Sequence, residues 1–197
     1  MLSFLHLTSN FFHRMDYKIK SVLVDAAGFN RTITRLAHEI IERNRGTERL
    51  GLVGMQTRGV FLAKRLANKI EEIERIELPV GVLDVTMYRD DYRTALKHPR
   101  VQITQIPFEL YDLNAVLVDD VLYTGRTVRA ALDALMDFGR PRRIQLAVFV
   151  DRGHRELPIK PDFVGKNVPT SVNEEVRVRM AEIDGEDAVW LVEVPPA

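Results

Sequence analysis

Residues 115–127 read AVLVDDVLYTGRT, and no other stretch constrains the fold as tightly. Ala115 to Val118 has the length and β-branched content of a buried strand. Two carboxylates, Asp119 and Asp120, stand at its carboxyl end. A short turn with Thr124, Gly125 and Thr127 follows, and an amphipathic helix begins. A strand that ends in acids, turns on small residues and enters a helix makes a site for a phosphorylated sugar. Carboxylates accept hydrogen bonds from sugar hydroxyls or hold a hydrated Mg²⁺. Backbone N–H groups and threonine hydroxyls in the turn surround a phosphate, whose charge the helix start favours. Gly125 gives the backbone the freedom that wrapping a phosphate demands. Taken singly, the same pieces also describe an ordinary βα turn with Thr127 as the helix cap.

Segments of strand and helix character alternate, which predicts an α/β fold on a mainly parallel, twisted sheet flanked by helices. Helices are expected over 29–45, 60–73 and 127–138. Strands are expected over 50–54, 80–87, 101–105, 115–118 and 144–150. Residues 88–100 read as a mobile loop and 151–175 as irregular. Strands over 176–180 and 189–194 close the chain around an Asp184–Gly185 turn. In an open parallel sheet, ligands sit beyond the carboxyl ends of the strands. The Asp119–Thr127 loop, the Gln56–Gly59 loop and the Asp151–Arg155 loop should therefore converge there.

The chain has 197 residues and 46% apolar content, which suits one globular domain with a sizeable core. The apolar amino terminus lacks the features of a secretory signal. Met15 followed by DYKIKSVLVD reads as the natural beginning. Residues 1–15 are therefore expected to be a disordered or mis-annotated extension, and 16–197 a single domain. There are no cysteines, which removes disulfides, thiolate metal sites and a cysteine nucleophile and accords with a reducing cytoplasm. No run approaches the ~20 apolar residues of a membrane span. The net charge is zero, so any RNA binding must come from a local patch.

With its strand–turn–helix context, the motif resembles the phosphoribosyl-pyrophosphate (PRPP) motif of type I phosphoribosyltransferases. Tyrosine at position 123, within DDVLYTGRT, is similar to one subfamily: the bifunctional pyrimidine-operon attenuation regulators and uracil phosphoribosyltransferases. TRLAHEIIERN (34–44), GMQTRGVFLAKRLA (54–67) and LAVFVDRGHRELPIKPDFVGKNVPTS (146–171) resemble it too. The resemblance implies the type I phosphoribosyltransferase fold with a small hood. It also implies conversion of uracil and PRPP to UMP and pyrophosphate, with Mg²⁺ carried on PRPP by way of Asp119 or Asp120 and no metal cage of the protein's own. UMP and UTP are the implied effectors, a leader RNA hairpin of pyrimidine-gene transcripts the implied partner, and a dimer or larger homo-oligomer the implied assembly.

In that frame Asp119, Asp120 and Arg58 are the expected catalytic residues. The nucleotide site comprises Thr57, Arg58, Gly59, Asp119, Asp120, Val121, Leu122, Tyr123, Thr124, Gly125, Arg126, Thr127, Arg152 and Val176. Thr57–Gly59 reads as the pyrophosphate loop, because arginine is a fixed, bidentate phosphate donor. Tyr88 and Arg89 open a lid over PRPP. Arg31, Arg35 and His38 lie at i, i+4 and i+7 on the first helix, opposite its apolar stripe. Alone, they describe a solvated face. The resemblance makes Thr34, Arg35, His38 and Arg43 RNA contacts, joined by His154, Arg155, Lys160 and Lys166. Two alternatives stay open: a salvage transferase for another base without RNA binding, and a regulator that binds UMP and RNA with little catalysis.

Overall fold

The computed structural model describes residues 17–85, 88 and 103–194. Five strands form a parallel sheet in the order β3-β2-β4-β5-β6: β2 (Leu50–Met55), β3 (Val80–Leu83), β4 (Asn114–Leu122), β5 (Arg143–Asp151) and β6 (Phe163–Asn167). All six residues of β2 are buried, as expected for a sheet covered on both faces. Successive residues of β4 serve opposite faces. Val116 and Val118 pack under α1 (Ala26–Asn44) and α2 (Arg58–Glu74), whereas Ala115 and Leu117 pack under α3 (Arg126–Met136). Phe29 of α1 stacks on Phe149 of β5 at a centroid distance of 4.0 Å.

A second sheet is three-stranded and antiparallel, in the order β1-β8-β7: β1 (Lys18–Val24), β7 (Glu174–Arg179) and β8 (Ala188–Glu193). A one-turn helix, α4 (Ala181–Asp184), joins β7 to β8. Val176, Val178, Met180 and Val189 of this hood share one apolar cluster with α1, α2 and β5. Arg65 of α2 adds a polar tie, bonding Glu182 at 2.6–2.8 Å and Asp187 at 2.8–2.9 Å.

Several expectations need correction. The first helix begins at Ala26, because the Asp25 side chain accepts the Gly28 N–H at 2.7 Å and caps it there. β1 and β6 are strands that the sequence pattern did not reveal. β6 falls inside the stretch read as irregular. The strand expected over 101–105 reduces, in its described part, to one antiparallel bridge between Gln105 and Val82. The strand expected over 80–87 ends at Leu83. Residues 1–16, which hold the expected extension, lie outside the described residues. So do Arg89 and most of the expected lid.

Candidate active site

β2, β4 and β5 are neighbours that run the same way, so the loops after Met55, Leu122 and Asp151 emerge on one edge. The expected convergence is what the topology delivers. Asp119 is buried, and its carboxylate accepts the Asp120 N–H at 2.9 Å. Asp120 accepts the Val121 N–H at 2.9 Å. Burial pushes the Asp120 carboxyl above the ordinary range, against opposing contributions from Asp119 and the Arg58 charge. An acid whose ionised form is penalised by burial is suited to receive a cation or a sugar hydroxyl.

Arg58 reaches this pair because of Gly59. A Cβ at position 59 would stand 2.3 Å from the Val118 carbonyl oxygen, so only glycine lets α2 start against the end of β4. The Gln56–Thr57 peptide is cis. Thr57 precedes α2 with no side-chain cap bond. Arg58 is held from its far side by Asp184, through Nε at 3.3 Å and Nη2 at 3.0 and 3.1 Å. Asp184 also accepts the Met180 N–H at 3.0 Å and lies 3.4 Å from Arg179. Burial works against its charge, but Met180, Arg58 and Arg179 together hold its carboxyl below the ordinary range. This bidentate clamp joins residues 126 positions apart, which no local pattern could reveal.

The turn after β4 is built as expected, with one correction. The residue preceding α3 is Gly125, at φ 93°, rather than Thr127, and no side chain caps the helix. With glycine at the cap, the N–H groups beyond Arg126 in the first turn have no capping side chain, the arrangement that accepts an anion. The Thr124 hydroxyl accepts the Arg126 N–H at 3.3 Å. The Thr124 carbonyl takes the Glu156 and Leu157 N–H groups at 3.0 and 3.1 Å, fixing the turn to the loop after β5. Val121 and Leu122 complete β4, Leu122 buried, and the Arg126 guanidinium turns outward to Glu156 at 2.6 Å.

Tyr123 is half-exposed and stacked. The Arg152 guanidinium lies 4.0 Å from its ring centroid, and the His154 ring meets its edge at 5.9 Å. Arg152 is buried and donates to the Glu174 carbonyl at 2.6 Å and to Thr170 at 3.3 Å. It thereby ties the loop after β5 to β7, the edge strand of the hood, which carries buried Val176 and packs against β4.

The expected RNA residues divide into two groups. Arg35 donates to the carbonyls of Val164 and Gly165 in β6 and pairs with Glu39, and Lys166 of β6 donates to Leu23. Thr34 bonds back to Asn30, His38 is exposed, and Arg43 pairs with Asp162 at 3.1 Å. These residues share the outer side of α1 and β6, beside an open cavity of about 800 Å³ lined in part by Arg31, Arg35 and Lys166. Lys160 is exposed on the loop before β6. His154 and Arg155 sit instead against the turn after β4. His154 contacts Thr170 at 2.6 Å, while Arg155 donates to Tyr123, Gly153, Ile159 and Asp151. With its donors spent inside the loop, Arg155 acts as a strut. Tyr88 is also displaced from its expected place. Its hydroxyl donates to Asp137 at 2.6 Å, which raises its pKa, at the end of α3 remote from Gly125.

A family model described as "Phosphoribosyl transferase domain" matches residues 21–182. "Bifunctional protein PyrR" of Pelotomaculum thermopropionicum is 60% identical over 174 residues, covering 88% of this chain and 96% of that one. The protein of the same description from Thermus thermophilus is 61% identical over 176 residues, covering 89% and 97%. The chain belongs to the bifunctional PyrR family of phosphoribosyl transferases. Among solved structures, the hypoxanthine phosphoribosyltransferase of Trypanosoma cruzi superposes with a TM-score of 0.68 over 90% of this chain and 98% of that one, at 15% identity. That match shows the shared type I fold. The family model's match takes in α1, the Thr57–Gly59 loop, the acidic motif and β7.

Proposed function

We propose that the chain makes UMP and pyrophosphate from uracil and PRPP, and that it also regulates pyrimidine genes by binding a leader RNA hairpin in response to UMP or UTP. The observation that carries the reading is the meeting of Asp119, Asp120 and Arg58 beside an uncapped helix start, in a chain of the PyrR family. The 5′-phosphate fits the turn at 124–127. The pyrophosphate fits Thr57–Gly59, and the ribose then lies over the acidic pair.

The uracil nitrogen attacks the anomeric carbon as the bond to pyrophosphate breaks, and the nitrogen's proton is lost. Positive charge grows on the ribose and negative charge on the leaving group. The aspartates oppose the first and Arg58 the second, each already oriented before reaction. Mg²⁺, when bound with PRPP, neutralises the departing pyrophosphate. The residues fit that cation: Asp119 and Asp120 supply two carboxylates, and it otherwise keeps phosphate and water ligands. Among the described residues no group of three or more acidic or histidine side chains forms a cage. Holding both ends of PRPP supplies much of the remaining advantage. Uracil sits between Tyr123–Arg152 and β7, where Arg152 and the Val176 strand meet it.

The second activity uses Thr34, Arg35, His38, Arg43, Lys160 and Lys166, with His154 at the far margin. Arg155 supports the loop they flank. UMP bridges the phosphate turn and the hood, and the hood shares an apolar cluster with α1. If UMP tightens RNA, RNA must tighten UMP by the same factor. The chain works as a dimer or larger homo-oligomer in the cytoplasm. Among the described residues no helix is long and apolar enough to cross a membrane. A uracil-plus-PRPP assay run beside a gel shift with leader RNA tests the reading. UMP formation and a UMP-dependent shift are expected. UMP formation alone leaves a salvage enzyme, activity only with another base corrects the substrate, and a shift without turnover leaves a regulator.

A further inference from the structure

At the opposite end of the sheet, a groove of about 390 Å³ is lined by Arg43, Asn44, Arg45, Asn114, Arg142 and Arg143. Four of its six lining residues are arginines and none is acidic, in a chain whose net charge is zero. Asn114 and Arg143 open β4 and β5 in register, and the Arg142 and Arg143 N–H groups both reach the Leu113 carbonyl, at 2.9 and 3.4 Å. Asn114 is fixed to Asn44 at 3.0 Å. The groove is therefore built from three elements that the fold holds still.

Arg43 pairs with Asp162, but the other three arginines differ from those near the active site. Arg58, Arg65, Arg126 and Arg155 each pair with a carboxylate. The side chains of Arg45, Arg142 and Arg143 make no ion pair or hydrogen bond among the described residues. Proximity to the negative end of α1 accounts for arginine at 43 and 45. It does not account for Arg142 and Arg143, which come from the start of β5. Unpaired cations crowded together repel one another, and an anion relieves that repulsion.

Two further observations identify the anion. First, the groove is continuous with the α1 face through Arg43, which lines it and also belongs to the expected RNA patch. Arg35 and Arg43 are eight residues apart, about 12 Å along the helix. That matches three to four steps of a nucleic-acid strand at ~3.4 Å each. Second, Glu39, Glu42 and Asp162 line a neighbouring hollow that shares Arg43 with the groove. A polyanion following α1 is repelled there and drawn towards Arg45, Arg142 and Arg143.

We propose that this groove is a second phosphate-backbone site for the RNA, carrying the strand beyond the α1 face to the underside of the sheet. The inference rests on the RNA half of the proposed function and extends its footprint. It assigns no base recognition, because arginines on phosphates position a nucleic acid without reading it.

The test is the full chain carrying Arg45→Gln, Arg142→Gln and Arg143→Gln together. Its binding to a labelled RNA hairpin transcribed from the source organism's pyrimidine leader is measured from low to high salt. Each lost phosphate contact reduces the slope of log affinity against log salt by ~0.7–0.9. The expected result is a slope smaller by about 2 and an affinity at least ~10-fold weaker at moderate salt. Uracil and PRPP kinetics stay unchanged, which shows that the variant folds. Wild-type affinity and slope in the variant overturn the proposal. Lost binding of inorganic polyphosphate with unchanged RNA binding also overturns it, assigning the groove to another anion. If the wild-type chain makes UMP yet leaves the hairpin unbound, the RNA reading itself falls and takes the groove's role with it.

Discussion

Replacing Asp120 by asparagine, or Arg58 by alanine, is expected to slow UMP formation at least ~100-fold, the scale for one preorganised electrostatic group. The two variants should differ in stability. Burial raises the Asp120 carboxyl above its ordinary range, so its ionised form costs the folded protein free energy. That cost is absent below the ordinary carboxylate range and grows as pH rises through the raised folded-state value. At neutral pH, above the ordinary carboxylate range, the cost is present, and Asp120→Asn removes it. The variant should therefore melt higher than wild type, by about 2–4 °C for each kcal/mol relieved. The gap should narrow as pH falls and wild-type Asp120 takes up its proton. Arg58→Ala brings no such gain. It leaves the buried Asp184 carboxylate with Arg179 and the Met180 N–H alone. Turnover together with melting curves across pH checks both effects. Near-normal turnover in both variants contradicts the assignment. A melting gap that does not change with pH contradicts the burial argument.

The second large effect concerns RNA. Arg35→Gln combined with His38→Ala is expected to abolish RNA binding and leave UMP formation intact. Hydrogen bonds to charged groups contribute about 1.5–3 kcal/mol each. Losing two removes roughly 3–6 kcal/mol, a factor of ~100 or more in affinity. Arg35 has an internal role as well, because it grips the β6 backbone. His38 is exposed, so His38→Ala alone separates RNA contact from any loosening of β6. RNA titrations of the single and double variants, with turnover measured on the same samples, decide the matter. RNA affinity that survives the double change moves the patch elsewhere.

The parts of the fold that were legible in the sequence are those where burial writes a pattern. β4 was readable because the apolar run at 115–118 is covered on both faces. α2 was readable because Leu62, Ala63, Leu66, Ala67 and Ile70 repeat on one stripe. β1 was hidden for the opposite reason. It is an edge strand whose first five residues are exposed, so no alternation is imposed on Lys18–Val24. β6 hides between Pro161 and Pro169 with only Phe163 fully buried. In the site, the Asp119–Thr127 segment was legible as one contiguous run. The Asp184 clamp on Arg58 was not, and neither was the turning of Arg155 into its own loop. The first depends on side chains the fold brings together from 126 positions apart, the second on a loop conformation that no periodic pattern records. The lesson for Arg155 and Tyr88 is that a matched motif position names a residue without saying where its donors point.

A crystal structure with UMP bound tests the central claim most directly. The predicted result places phosphate oxygens within hydrogen-bonding distance of the backbone and hydroxyl groups of Thr124–Thr127. The ribose hydroxyls then face Asp119 and Asp120, and the base lies beside Tyr123 and Arg152. A nucleotide ordered at another place, with these groups uncontacted, would contradict the account.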